Sequence, residues 1–321
     1  MRDARAEAAA RIGEPGARVL EPSPPAVTTP PWFADDPVGT DDLSGGELVL
    51  HERELVLPIE RLGARTWVSV CAERGDTALL AFCIERWLGP WRRLEALPPG
   101  SATTRVGLHA VAEHILTPAR FSANAKVGLR WTLGGFGTPF FGPDCQLRTV
   151  RATLVDGERI APLTTLRAAG EFAGVTPGAP TSIFTPTTPC DLDAPLQIDS
   201  DAAAAYGDFF GFTTSVLEQL RAESLPGDTP SRVQLWPEHF DISVDLGDEK
   251  VGGRATYGGS PGDAEHPRPY LYVSTWTTKT GPFWNEPFGA GLAYGVLLSD
   301  QDQRATALDF FRTARALLEH A

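Results

Sequence analysis

A strict alternation of polar and apolar residues over 239–246 constrains the fold of this chain more than any other segment. Side chains of a β-strand point alternately to opposite faces, so this segment predicts one buried face and one polar face. The apolar positions are Phe240, Ile242, Val244 and Leu246, and the polar positions are His239, Asp241, Ser243 and Asp245. The chain has the character of β-structure over 232–298, and a sheet is expected there.

Helical and strand patterns are interleaved over the rest of the chain. The expected strands lie at 48–59, 66–72, 77–86, 127–132, 146–155 and 159–164. The expected helices lie at 103–116, 165–172, 201–223 and from 299 onward. The predicted fold class is α+β, with a mixed, mainly antiparallel β-sheet in two lobes and flanking helices.

Local signals set several of these boundaries. Asp156-Gly157 tolerates the positive φ of a type I′ turn and predicts a hairpin. Pro118 predicts the end of the first helix. Asp199 or Ser200 would cap the long helix, and Ser299 with Asp302 resembles a capping box for the last one.

Composition suggests four regions. Residues 1–46 are rich in Pro and Asp and predict a flexible tail. Residues 47–175 would form a first α+β lobe, and residues 176–198 a linker. Residues 199–321 would form a second lobe of helix, sheet and C-terminal helix.

Charge and cysteine content narrow the class of partner. The net charge of −13 argues against nucleic acid and anionic membranes as partners, since a protein needs a positive face to bind either of them. The four cysteines lack zinc-site spacing, and neither a signal peptide nor a long apolar run is present. The expectation is a cytoplasmic protein with no metal assigned, an unknown cofactor and an unknown oligomeric state.

The W-P-E-H-F-D stretch at 236–241 contains the candidate catalytic groups. His239 and Asp241 share a strand face, where the carboxylate could orient the imidazole as a general base. Asp263, behind the turn that follows Tyr257, could join them as a third group. A satisfied polar contact and an ordinary turn are the alternative interpretation of the same residues.

Aromatic side chains crowd the same lobe and suggest a ligand groove. The candidate ligand-binding residues are Tyr257, Tyr270, Tyr272, Trp276, Trp284 and Asn285. Aromatic walls with a few polar groups are typical of small-molecule pockets. The alternative is that these rings form the core and edge of the sheet.

Two other motifs fall short of a known site. His109, Glu113 and His114 invite comparison with a zinc helix, but their spacing is not H-E-x-x-H and favours a helix-face ion pair. The glycine-rich segment 134–139 lacks the phosphate-binding pattern, although Arg120 and Arg130 keep an anion site open.

The W-P-E-H-F-D and S-P-G-D segments, at 236–241 and 260–263, resemble those of uncharacterised actinobacterial proteins of unknown function. The resemblance covers most of the chain beyond the tail. It implies a bacterial protein and supplies no reaction, cofactor or catalytic residue.

Three functions remain open from the sequence. The first is a soluble small-molecule-binding protein with an aromatic and acidic pocket in the second lobe. The second is a hydrolase or lyase that uses His239 and Asp241 as a general-base pair, with or without a divalent metal. The third is an interaction protein that acts through its acidic, Pro-rich tail. Whether the chain is an enzyme stays undecided.

Overall fold

The computed structural model describes residues 93–132, 134–138, 147–156, 159–225 and 227–319, with a short strand pair of β1 (Val49–His51) and β2 (Glu54–Val56). The expected tail and the strands expected at 66–72 and 77–86 lie outside these residues. Within them the chain has an α+β fold, in which helices surround two antiparallel five-stranded sheets, as predicted.

The first sheet is a meander in which each strand pairs with its neighbour in sequence. Its strands are β3 (Arg130–Thr132), β4 (Gly135–Gly137), β5 (Leu147–Val150), β6 (Thr153–Asp156) and β7 (Arg159–Pro162). The hairpin expected at Asp156-Gly157 is present, with Asp156 opposite Arg159. The strand expected at 146–155 is instead two strands, because Arg151 takes a positive φ of 52° in a tight turn.

The second sheet is also a meander of sequence neighbours. Its strands are β8 (Gln234–Trp236), β9 (Asp241–Leu246), β10 (Ala255–Ser260), β11 (Tyr270–Thr275) and β12 (Gly289–Ala293). An isolated antiparallel bridge between Leu129 and Leu235 joins the two sheets.

Helices pack against the sheets and against one another. They are α1 (Ser101–Val111), α2 (Thr117–Asn124), α3 (Leu166–Ala173), α4 (Ser200–Ala222), α5 (Tyr294–Ser299) and α6 (Gln303–Glu319). The long helix α4 contacts strands of both sheets. The Asp199 side chain caps α4 by accepting the backbone N–H groups of Asp201 and Ala202, as expected.

The expected end of the first helix at Pro118 is wrong. A π-helical turn at Ala112–Leu116 follows α1, and the chain continues as α2 with Pro118 in its first turn. The hydroxyl of Thr117 donates to the carbonyl of Ala112 at 2.7 Å. Proline lacks an N–H, and the π turn shifts the bonding pattern so that the helix can continue past it.

The expected capping box at Ser299 is also wrong. Ser299 ends the short helix α5, and the last helix begins four residues later. Asp302 supplies the cap, since its carboxylate accepts the N–H of Ala305 at 2.9 Å.

An apolar core of the described residues lies between the helices and the sheets. Phe209 and Phe210 of α4 are fully buried in it, and Ile242 and Val244 of the second sheet contribute from the other side. None of the helices in the described residues combines the length and apolarity needed to cross a membrane.

Candidate functional site

The polar face of the second sheet forms the floor of a cleft of about 860 Å³. Helix α1 and the loop at 187–189 form the opposite wall. The floor includes Asp241, Ser243, Asp245, Thr256, Tyr270 and Tyr272. This volume lies within the range of small-molecule sites.

The alternation of polar and apolar residues in β9 places the polar side chains on this floor. Ile242, Val244 and Leu246 are buried in the core, while Asp241, Ser243 and Asp245 line the cleft. Phe240 is buried too, but it precedes the strand in a turn with a left-handed φ of 53°. A left-handed phenylalanine is rare, and sequence alternation alone does not reveal it.

Asp241 is the most deeply buried carboxyl group of the floor, with 5% of its surface exposed. Its Oδ2 accepts a hydrogen bond from the hydroxyl of Tyr272. Its Oδ1 is buried and has no hydrogen-bond partner in the described part of the chain. Burial raises the pKa of Asp241 to about 6, and the bond from Tyr272 and the nearby His239 offset only part of this effect.

Tyr272 reaches Asp241 because Gly258 on the neighbouring strand has no side chain. A Cβ at Gly258 would lie 2.5 Å from Cζ of Tyr272, well inside van der Waals contact. Burial, followed by the charge of Asp241, raises the pKa of Tyr272 well above its ordinary value. The phenol therefore stays protonated and donates to the carboxylate.

Asp263 lines the cleft, but its carboxylate is already hydrogen-bonded to groups of its own turn and to Tyr270. Its Oδ1 accepts the backbone N–H groups of Glu265 at 2.7 Å and His266 at 2.6 Å. Its Oδ2 accepts the hydroxyl of Tyr270 at 3.0 Å. Partial burial alone would raise the pKa of Asp263, but these hydrogen bonds outweigh burial and lower it. Asp263 is therefore placed to shape the rim and to hold Tyr270.

His239 also lines the cleft, and its side chain is exposed. The His–carboxylate contacts within 4.0 Å among the described residues involve His109, His114 and His266. His239 is not among them, although its charge lowers the pKa of Asp241. The structure thus brings His239, Asp241 and Asp263 to one cleft without joining them in a hydrogen-bonded catalytic group.

The predicted aromatic residues divide into two groups. Tyr270 and Tyr272 line the cleft, together with Phe288, which the sequence did not single out. Their ring centroids lie 6.2 to 6.3 Å apart, so the three rings form a continuous aromatic surface.

The other four ligand-binding candidates do not line the cleft. Tyr257 is fully buried on the opposite face and packs against Phe311. Trp276 is exposed and lies against Arg254. Trp284 packs on Phe283, and Asn285 bonds to the backbone of Gly291. Tyr257 is buried because the odd-numbered residues of β10 face the core.

Helix α1 contributes two polar residues that the sequence did not assign to this site. Arg105 and His109 are four residues apart and both line the cleft. The Nε2–H of His109 donates to the carbonyl of Pro237 at 2.7 Å, and its ring stacks on Phe240 at 5.0 Å. Burial lowers the pKa of His109, so the ring is neutral at pH 7.

Glu113 holds the loop that completes this wall. Its carboxylate is fully buried and accepts the N–H groups of Thr187 at 2.7 Å and Thr188 at 2.8 Å, and also the hydroxyl of Thr188. His114 donates from Nε2 to the carbonyl of Thr188 and accepts the N–H of Ala179 at Nδ1. The helix-face contact predicted for His109 and Glu113 is present, with Nε2 of His109 3.5 Å from Oε1 of Glu113, but the neutral imidazole makes it no ion pair at pH 7.

The glycine-rich segment serves close packing. Gly135 and Gly137 lie in the buried strand β4, where a Cβ at Gly135 would lie 2.4 Å from the carbonyl oxygen of Thr149. The backbone N–H of Phe136 bonds to the Thr149 hydroxyl. The described residues contain no group of three or more His, Cys, Asp or Glu side chains that could hold a metal ion.

The raised pKa of Asp241 predicts a specific pH dependence of stability. Between pH 4 and 6 the native state holds a proton that the unfolded state releases, so the unfolding free energy falls as pH rises. Relative to an Asp241→Asn variant, the wild type should lose about 3 kcal/mol over this window and stay constant above it. Chemical denaturation of both proteins at several pH values measures the difference. A difference that does not vary with pH would contradict the assigned pKa.

Comparisons of the chain with protein-family models, with curated proteins and with solved structures found no significant match.

Proposed function

We propose that this chain is a small-molecule-binding protein and that its ligand occupies the cleft over the second sheet. The floor is built on regular strands, and the opposite wall is fixed by the buried Glu113. The proposal is supported by a concave, largely preformed site that combines aromatic rings with a few polar groups.

The observation that most supports this proposal is the unpaired Oδ1 of Asp241. A buried acceptor that lacks a donor costs about 1–3 kcal/mol, and most buried polar atoms in folded proteins are paired. The other oxygen of this carboxyl group is bonded to Tyr272, so the side chain is held in place. A ligand with an N–H or O–H group would supply the missing donor.

Binding is preferred here to the alternative of a hydrolase or lyase. That alternative rests on a pair in which a carboxylate orients His239, and His239 has no carboxylate within 4.0 Å among the described residues. Asp263 is occupied by backbone N–H groups. The tail hypothesis concerns residues 1–46, which lie outside the described residues.

A thermal-shift screen of metabolites on three proteins tests the proposal. The proteins are the wild type, Asp241→Asn, and Asp309→Asn as a matched control on the exposed face of α6. We expect a ligand that stabilises the wild type and the control, by about 2.7 kcal/mol at 100 times Kd, but not Asp241→Asn. A ligand that stabilises all three proteins equally would place binding outside this cleft.

A further inference from the structure

The two walls of the cleft carry opposite charge. Four carboxyl groups lie on the side of the sheet, and they belong to Glu238, Asp241, Asp245 and Asp263. On the opposite side, Arg105 of α1 supplies a positive charge, while burial keeps His109 neutral at pH 7, and His239 lies on the side of the sheet. A ligand that spans the cleft therefore meets anions on one side and a cation on the other.

Each wall also contains a buried polar atom without a partner. Among the described residues, these atoms are Oδ1 of Asp241 and Oε2 of Glu238 on the side of the sheet, and Nη1 of Arg105 on α1. An unpaired guanidinium nitrogen is a strong donor, and carboxylates match its geometry. Both side chains line the cleft, where Asp241 would accept from a donor of the ligand and Arg105 would donate to an acceptor.

The strand register places Asp241 and Arg105 at the same end of the cleft. The last pair between β9 and β10 joins Ile242 to Gly259, and Asp241 lies one residue before Ile242 while Gly262 lies three residues after Gly259. A Cβ at Gly262 would lie 2.7 Å from Nη1 of Arg105, so the guanidinium fills the space beside this glycine. Gly262 has a φ of +100°, which favours glycine for a second reason.

An apolar surface lies beside these two groups. Tyr270, Tyr272 and Phe288 present neighbouring rings to the cleft. Rings of this kind bind flat apolar or aromatic groups and attract cations to their faces.

We infer that the cleft binds a small zwitterion with an aromatic body, in which an ammonium group meets Asp241 and a carboxylate meets Arg105. This inference rests on the proposed binding function and adds the chemical class of the ligand. An amino acid with an aromatic side chain is the simplest molecule of this class. A purely anionic ligand would meet four carboxyl groups, and a purely cationic one would leave Arg105 unpaired.

Calorimetric titration with matched probes tests the inference. L-phenylalanine and 4-(aminomethyl)benzoate carry both charges at different separations. Phenethylamine carries only the amine, 3-phenylpropionate only the acid, and 2-phenylethanol neither. The proteins are the wild type, Asp241→Asn, Arg105→Gln, and Arg167→Gln as a control for loss of an exposed arginine.

We expect one of the two zwitterions to bind the wild type and Arg167→Gln more tightly than any other probe. Asp241→Asn should lower the affinity for that zwitterion by about 30-fold or more. It should also lower the affinity for phenethylamine, with little effect on the affinity for 3-phenylpropionate. Arg105→Gln should lower the affinity for the zwitterion and for 3-phenylpropionate, with little effect on the affinity for phenethylamine. Circular dichroism of each variant verifies that it is folded.

Three outcomes would overturn the inference, and they separate its failure from that of the proposed function. If all probes bind alike, or if neither substitution changes selectivity, the cleft does not recognise a zwitterion. If no probe binds while the metabolite screen yields a ligand that depends on Asp241, the zwitterion inference fails and the binding function stands. If neither experiment yields a ligand that depends on Asp241, both fail.

Discussion

Replacement of Phe240 by alanine is expected to lower the free energy of unfolding by about 3–5 kcal/mol, the range for a large buried aromatic residue. The ring stacks on His109 and meets Phe136 and Phe210 edge to face at 5.2 and 5.3 Å. It therefore ties the turn before β9 to α1, to the first sheet and to α4. Loss of the ring would leave a cavity where these four elements meet.

Two further variants isolate the contribution of the ring. Phe240→Leu fills part of the volume and should lose less, and Ile183→Ala removes a side chain that is 54% exposed and should change little. The positive φ of Phe240 is unchanged in the alanine and leucine variants, so backbone strain does not separate them. Urea denaturation gives the values. A loss in Phe240→Ala no larger than in Ile183→Ala would contradict the packing described.

Replacement of Glu113 by alanine is expected to release the loop at 187–189 and to cost about 3 kcal/mol or more. The substitution leaves two backbone N–H groups and two hydroxyls, all from Thr187 and Thr188, without this acceptor. Each buried unsatisfied group costs about 1–3 kcal/mol. Because this loop lines the cleft, ligand affinity should fall together with stability.

Hydrogen exchange followed by mass spectrometry locates the effect of this substitution. Exchange at the amides of Thr187 and Thr188 should rise in Glu113→Ala and stay unchanged in Glu171→Ala, a control on the exposed side of α3. Glu113→Gln keeps one acceptor oxygen and should show an intermediate effect. Unchanged exchange at these two amides would show that another contact holds the loop.

Local signals in the sequence predicted the floor of the cleft and the main elements. Alternation placed Asp241, Ser243 and Asp245 on one face, and the Asp199 cap fixed the start of α4. These features depend on neighbours within a few residues. Tyr257 was assigned to the ligand groove because aromatic residues crowd this lobe, without regard to its strand face, and it is a core residue.

The opposite wall could not be predicted in this way. Arg105 and His109 form a polar pair on one helix face, a pattern that an exposed helix shares. Their position over the sheet depends on the Phe240 stack and on contacts between residues more than 100 apart in sequence, such as His109 with Pro237. The π turn at Ala112–Leu116, before Pro118, likewise depends on the local hydrogen-bond pattern rather than on residue type.

The cleft has one wall from residues 105–109 and 187–189 and its floor from strands beyond residue 234. Neither segment encloses a ligand alone, so a molecule held between them would bind only when the two parts of the chain are docked. Its binding free energy would add to the free energy that holds those parts together. Ligand occupancy would then make the unfolding of these two parts more cooperative, and a nick between residues 189 and 234 would be better tolerated by the occupied protein than by the empty one.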